Sequence, residues 1–376
     1  MSKQIIIGID IRDLKIAKTG QKTTLEELCH QFRLMEGSEY SFRYFDSNRA
    51  GYTGKNKILI AIGHIRYHFW KQVILPYKAW KEKCDIIFCV DYFVPYFHFG
   101  YKTVQVFHDA FFYEYPQHYN PIWHYLFKYL GIPSARRSSF IVVPTEYALQ
   151  RVKHFTGFPA QKLISVYEGP KSLTVSSGLK DHPEWFAGLD GEKYILHVGV
   201  MEKRKNLPML INAFKKLIDQ GYPDFKLVLV GKGSDKLNSD DSRNVMQAIL
   251  SNNLEQHVIL LGYLTDEELS IAYSKAYMYV FPSYNEGFGI PILEAFKFSL
   301  PVLVADNTCL PEVGGNAVVT FNPHDPEDIC SKIKLVIEND SLRNELMEKG
   351  RERLKFFSWE KASKQLAGIF KQALLA

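Results

Sequence analysis

Short apolar runs, rich in β-branched and aromatic residues, recur along the chain and are separated by longer stretches with helical spacing. In the first half they are Gln4–Ile9, Lys57–Ile62, Ile86–Val90, Thr103–Phe107 and Phe140–Val143. In the second they are Tyr194–Val198, Lys226–Val230, Val258–Leu261, Met278–Phe281 and Pro301–Ala305. Runs of this length read as strands buried on both faces. Their alternation with helical segments, the first over Thr23–Phe32, predicts an α/β protein built on parallel sheets. Thr265-Asp266-Glu267-Glu268 has the spacing of a capping box and opens another helix. Between the halves, Glu168 to Gly191 collects Gly169-Pro170, Ser176-Ser177-Gly178 and His182-Pro183, which marks a hinge. The expected division is a first domain over 1–170, a linker over 171–190, a second domain over 191–357 and a terminal helix over 358–376.

Composition narrows the class. The 376 residues suit two domains of about 180 residues each. With 46% hydrophobic and 23% charged residues, the chain is an ordinary globular protein. A formal net charge of +5 is too small to imply nucleic acid as a partner, though it suits anionic lipid or nucleotide phosphate. Five cysteines without a CxxC pair or zinc spacing predict a reducing, cytoplasmic location. The opening apolar run is too short for a signal peptide and reads as a first strand. No stretch approaches the length of a membrane span, so any membrane contact would be peripheral.

The richest chemistry lies in Phe281-Pro282-Ser283-Tyr284-Asn285-Glu286-Gly287-Phe288-Gly289-Ile290-Pro291-Ile292-Leu293-Glu294-Ala295. A strand runs into a glycine turn and then a helix, with Pro291 in the first turn, where its missing N–H costs nothing. Backbone amides of Gly287, Phe288, Gly289 and Ile290 at that helix start suit an anion such as a diphosphate. Glu286 precedes the helix and Glu294 lies within it, roughly 10 Å on by helical rise. Carboxylates accept paired hydrogen bonds from vicinal hydroxyls, so the two could bracket a nucleotide sugar. Earlier, Tyr194-Ile195-Leu196-His197-Val198-Gly199-Val200-Met201-Glu202-Lys203-Arg204-Lys205-Asn206-Leu207 carries a strand into a basic loop. Arg204 offers a guanidinium fork and Lys205 an ammonium where open α/β sheets bind ligands. Asn206 or a neighbour can cap the next helix.

These two segments resemble the E-x7-E signature and the donor-domain opening of the retaining glycosyltransferases of family 4, in particular mannosyltransferases of bacterial surface-polysaccharide synthesis. The resemblance implies the GT-B fold, two Rossmann-like domains with parallel sheets facing a central cleft. It also implies that Glu286 holds the donor sugar, Glu294 the ribose, and Gly231 with the Gly262-Tyr263-Leu264 turn the base. Many family members have arginine after the glycine matching Gly199; here that residue is Val200, and the charge falls to Arg204 and Lys205. No Asp-x-Asp motif ends a strand, and Asp240-Asp241 reads as a solvated turn, so neither metal nor other cofactor is expected.

In the first half, Thr19-Gly20-Gln21-Lys22-Thr23 puts a glycine before a helix. By resemblance Gly20 is a phosphate contact through its amide; by its residues alone it is an ordinary turn. Val104-Gln105-Val106-Phe107-His108-Asp109-Ala110 delivers His108 to a strand end, where the family places a histidine near the transferred sugar. Asp109 reads as orienting its loop and Glu146 as structural. Residues 65–130 interleave aromatics, among them Tyr67, Trp70, Tyr77, Trp80, Trp123 and Tyr129, with Lys71, Lys78, Lys81, Lys83 and Lys128. That composition fits a lipid-headgroup surface, an oligosaccharide platform or an aromatic core.

The expected function is transfer of a hexosyl group, with mannose from GDP-mannose favoured, to a glycan or lipid-linked glycan acceptor. Two rivals stand beside it: a sugar-nucleotide epimerase of the same fold, and a non-catalytic partner subunit that binds sugar nucleotide or glycan.

Overall fold

The computed structural model describes residues 3–15, 20–47, 57–118, 121–174, 184–186, 189, 191–234 and 238–375. It comprises two compact units, one of Met1–Glu168 with Trp359–Ala376, the other of Gly169–Ser358.

The first unit holds strands β1 (Ile5–Asp10), β2 (Tyr40–Phe45), β3 (Ile86–Cys89), β4 (Lys102–Val106), β5 (Phe140–Val143) and β6 (Leu163–Ser165). All pair in parallel, in the order β2-β1-β3-β4-β5-β6. The chain therefore reverses its direction of travel across the sheet between β1 and β3. Ile7, Ile9, Ile86, Ile87, Phe88 and Val104 are fully buried, as helices on both faces of a parallel sheet require. The terminal helix Trp359–Leu375 belongs to this unit: Phe370 lies against Phe32 of the helix Gly20–Leu34 and against Phe88 of β3, at ring separations of 6.1 and 5.4 Å.

One element departs from the sequence reading. Lys57–Ile62 is not a strand but the start of the helix Lys57–Phe69, which continues through a π-helical turn at Trp70–Ile74 into Leu75–Lys81. Its inward residues Tyr67, Trp70, Lys71, Leu75 and Ala79 have helical spacing, but its outward face is also apolar, which conceals the period. The second strand is instead Tyr40–Phe45, pairing from Ile5↔Tyr40 to Asp10↔Phe45. The short edge strands Leu163–Ser165 and Val318–Phe321 are further elements outside the sequence expectation.

The second unit holds β7 (Lys193–Val198), β8 (Phe225–Val230), β9 (Val258–Gly262), β10 (Met278–Phe281), β11 (Val302–Ala305) and β12 (Val318–Phe321), all parallel. Their order is β12-β11-β10-β7-β8-β9. The chain begins in the middle, walks to one edge, and returns to walk to the other, so the reversal falls between β7 and β10. Loops leaving the carboxyl ends of two such strands diverge and leave a crevice, the usual ligand position of a doubly wound sheet.

Candidate active site

The loops that leave β7 and β10 bring the sequence's two motifs together. After β7 the chain passes Gly199 and Glu202, makes a 3-10 turn at Lys203–Lys205, and enters the helix Leu207–Asp219. After β10 it runs from Pro282 to Gly289, whose φ of +104° starts the helix Ile290–Lys297 with Pro291 in its first turn. Gly289 is packed on Leu310, Ile292 and Phe281, so the left-handed turn and the tight fit both favour glycine.

Glu286 sits at the centre. Its Oε1 accepts a hydrogen bond from Lys205 Nζ at 2.7 Å, and its Oε2 lies 2.6 Å from an Arg204 guanidinium nitrogen. Arg204 also donates through Nε to Glu202 Oε2 at 2.9 Å and through NH1 to the Asn285 carbonyl at 3.2 Å. The Tyr284 amide donates to the Arg204 carbonyl at 2.7 Å, which ties the loops by backbone as well. Lys205 lies 4.8 Å above the Phe281 ring. Burial alone would raise the Glu286 carboxyl, but the adjacent Arg204 and Lys205 outweigh it and hold the pKa at about 2. Glu286 is thus ionised at any working pH.

This arrangement qualifies the expectation that Arg204 and Lys205 stand as open cations. Both already hold Glu286, and Arg204 also holds Glu202. The cluster is two cations against two carboxylates, a pre-aligned set rather than a bare positive patch. An ammonium has three donors, and one of those on Lys205 goes to Glu286.

Asn206 has a left-handed φ of +58° and stands at the helix start, but its side chain does not cap it. Instead Nδ2 donates to the carbonyls of Pro282 at 3.1 Å and Pro323 at 2.8 Å, pinning the β10 loop from below. The Cys309 thiol sits 3.2 Å from both the Glu286 and Phe288 carbonyls. These contacts fix the turn that carries Gly287, Phe288, Gly289 and Ile290.

Glu294 is buried within its helix and accepts from the Tyr273 hydroxyl at 2.7 Å. Burial raises its pKa against the opposing pull of Tyr273 and Lys171. Gly231 ends β8 in a conformation only glycine adopts readily, with φ of +138°. A Cβ there would stand 1.9 Å from the Gly199 carbonyl oxygen. Its amide donates to the Gly262 carbonyl at 2.7 Å, joining the ends of β7, β8 and β9. In the following turn Tyr263 is 70% exposed while Leu264 is buried, so the tyrosine ring is the one presented to solvent. Asp240-Asp241 is not a solvated turn. Asp241 is buried, and Asp240 accepts from the Ser234 amide and the Ser242 hydroxyl, both at 2.8 Å, bracing the loop after Gly231.

In the first unit, His108 follows β4 as expected. Its Nε2 lies 3.1 Å from the Val90 carbonyl, which can only accept, so that nitrogen carries the proton. Its Nδ1 faces Glu168 Oε1 at 3.8 Å. Burial would lower the imidazole pKa, but Glu168, the Val90 carbonyl and Asp109 outweigh it and raise it above 6.5. Glu168 also accepts from the Thr24 hydroxyl at 2.9 Å. Gly20 is exposed at the start of its helix, with its carbonyl held by Thr24, while Thr19 lies outside the described residues. Asp109 accepts from the Tyr92 hydroxyl and the Phe111 amide, which orients its loop.

Sequence reasoning missed a buried network at the reversal point of the first sheet. Lys71, one of the lysines interleaved with aromatics over residues 65–130, is almost fully buried, with Nζ 2.6 Å from Asp10 Oδ2 and 2.7 Å from Asp91 Oδ1. Trp70 Nε1 donates to Asp10 and Tyr67 to Asp91. Asp10 ends β1 and Asp91 follows β3; acids at the ends of neighbouring apolar strands were the available signal. Glu168 was missed because it opens the breaker-rich stretch read as a hinge.

Residues 23–169 match the family model described as Glycosyltransferase Family 4, and residues 183–353 that described as Glycosyl transferases group 1. Between them the two take in most of the chain, which belongs to the family 4 glycosyltransferases with the GT-B fold. It is 35% identical over 179 residues to O-antigen chain mannosyltransferase B of Escherichia coli, covering 47% of this chain and 45% of that protein. It is 28% identical over 250 residues to the serotype-specific mannosyltransferase WbdA of Escherichia coli, covering 62% of this chain and 30% of that protein. The chain thus spans less than half the length of these curated relatives. Among solved structures, sucrose-phosphate synthase from Thermosynechococcus elongatus superposes with a TM-score of 0.76 at 17% identity, over 98% of this chain and 99% of that one.

Proposed function

We propose that the protein transfers a hexosyl group, mannose from GDP-mannose, from a nucleotide-diphosphate sugar to a glycan or lipid-linked glycan acceptor, with retention at the anomeric carbon. The observation that carries this reading is the Arg204–Glu286–Lys205 cluster at the β7/β10 reversal, in the unit matched to the group 1 glycosyl transferases. Departure of a nucleoside diphosphate builds negative charge on the leaving oxygen, and fixed cations held in a buried site stabilise it without reorganising. Arg204 and Lys205 supply those cations, aligned by Glu286, and the helix start at Ile290 adds its dipole. Glu286 keeps lone pairs for hydroxyls of the sugar, Glu294 is assigned to the ribose, and Tyr263 offers an exposed ring for the base. His108 keeps its Nε2 proton on the Val90 carbonyl, so its role toward a sugar hydroxyl falls to Nδ1, on the side of Glu168. No divalent ion is required. The mannosyltransferase relatives support mannose as the donor sugar and a surface polysaccharide or its lipid-linked precursor as acceptor.

The test is a melting-temperature screen with GDP-, UDP- and dTDP-sugars, followed by a transfer assay with the donor that binds. Ligand at about a hundred times its Kd stabilises by roughly 2.7 kcal/mol. GDP-mannose should give the largest shift and support turnover with an anomer-retaining product. A larger shift with a UDP- or dTDP-sugar would replace the donor, and release of nucleotide without a glycosylated product would overturn transfer.

A further inference from the structure

The long helix of the first unit is apolar on the side it turns away from the core. Among its outward residues, Ile65 is 69% exposed, Phe69 54%, Val73 49%, Tyr77 57% and Trp80 62%. On a regular helix each step of four drifts forward and each step of three falls back. The wider π-helical turn at Trp70–Ile74 absorbs part of the drift, so the five side chains form one stripe. Ile65 to Trp80 spans roughly 22 Å. Exposing such a stripe to water costs free energy, and no element among the described residues of the unit buries it.

The charges beside the stripe select its partner. From Lys57 to Lys83 the sequence has Lys57, Arg66, Lys78, Lys81 and Lys83 besides the buried Lys71, and a single acid, Glu82. Arg66, Lys81 and Lys83 are exposed. A surface that is apolar in the middle, carries tyrosine and tryptophan at one end and is edged by cations matches a bilayer interface: acyl chains below, aromatic rings at the headgroups, anionic phosphates around the lysines. An oligosaccharide platform needs polar partners between the rings, which aliphatic Ile65 and Val73 do not provide. The helix Pro121–Leu126 adjoins, with Trp123 5.1 Å from His64, and adds exposed Tyr125, while the π-helical turn Phe127–Gly131 that continues it adds exposed Tyr129.

We propose that this helix face docks the protein on an anionic lipid bilayer, lying in the interface without crossing it. No helix among the described residues is long and apolar enough to span a membrane. The proposal deepens, and for its biological purpose rests on, the reading of a lipid-linked acceptor, because docking would hold the enzyme where such an acceptor resides.

Flotation of the full chain with vesicles tests it without sugar nucleotide, so failure here leaves the transfer reading standing. The probes are phosphatidylcholine vesicles and vesicles of phosphatidylcholine with phosphatidylglycerol. The chain should partition onto the mixed vesicles, and raising salt should weaken the binding as screening shortens. The variant Phe69→Ser/Tyr77→Ser/Trp80→Ser should lose binding, and Arg66→Glu/Lys81→Glu/Lys83→Glu should bind the anionic vesicles about a hundredfold more weakly. Both should keep the wild-type circular dichroism, since these side chains lie outside the core. Wild type that stays off anionic vesicles, or a serine variant that floats as well as wild type, overturns the proposal. So does a wild-type dimer that the serine variant turns to monomer with no vesicle binding, since a second copy would then be the occupant.

Discussion

Lys205 and Glu286 stand 81 positions apart in sequence and 2.7 Å apart in space, both buried, at the point where the second sheet reverses its strand order. Removing one member of such a pair strands the other charge. Glu286→Gln should therefore abolish most transfer and also lower stability by about 3 kcal/mol. Denaturant unfolding and turnover on one preparation check both, and a variant as active as wild type would detach Glu286 from the reaction.

The same carboxylate makes stability depend on acid. Its folded pKa of about 2 lies below the ordinary 4.5, so its contribution is complete above pH 4.5 and fades as pH falls toward 2. The stability gap between wild type and Glu286→Gln should narrow over that window. Melting temperatures from pH 7 down to 2.5 read it; a gap that stays constant would mean the charge is not what Glu286 contributes.

His108 has the opposite sign. Its folded pKa is raised above 6.5, so its pairing with Glu168 stabilises fully below pH 6.5 and is lost as pH rises through the folded value. Glu168→Gln retains the Thr24 hydrogen bond but removes the charge. The variant should be less stable than wild type at pH 6 and converge with it at alkaline pH, as followed by thermal unfolding.

Gly231→Ala forces a Cβ onto the Gly199 carbonyl in a backbone region that side chains avoid. A loss of at least about 3 kcal/mol in the second unit is expected. Equilibrium unfolding measures it, and a loss below 1 kcal/mol would show that the three strand ends are not locked as described.

The second sheet was the more legible half because its strands are continuous apolar runs ending in chemically distinctive loops, as at Val198 and Phe281. In the first half, Tyr40–Phe45 alternates aromatic and polar residues, the period of an edge strand rather than the continuous apolar run that marked the others, and Lys57–Ile62 is almost wholly apolar, which hides its helical period. The motif positions of Glu286, Arg204 and Lys205 were readable, but their mutual ion pairing was not, since it depends on β7 and β10 being neighbours. The ion pairs of Lys71 with Asp10 and Asp91 were hidden for the same reason, although acids at two strand ends were a signal: contacts across a strand reversal join residues far apart in sequence.

The central claim is that Arg204 and Lys205 supply the charge that receives the donor diphosphate. Calorimetric titration with GDP in excess EDTA, on wild type and on Arg204→Ala/Lys205→Ala, tests it most directly. Each charge-assisted hydrogen bond is worth roughly 1.5–3 kcal/mol, so wild type should bind without metal and the double variant at least about tenfold more weakly. Equal affinity in the folded double variant, or wild-type binding that appears only when magnesium or manganese is restored, would contradict it.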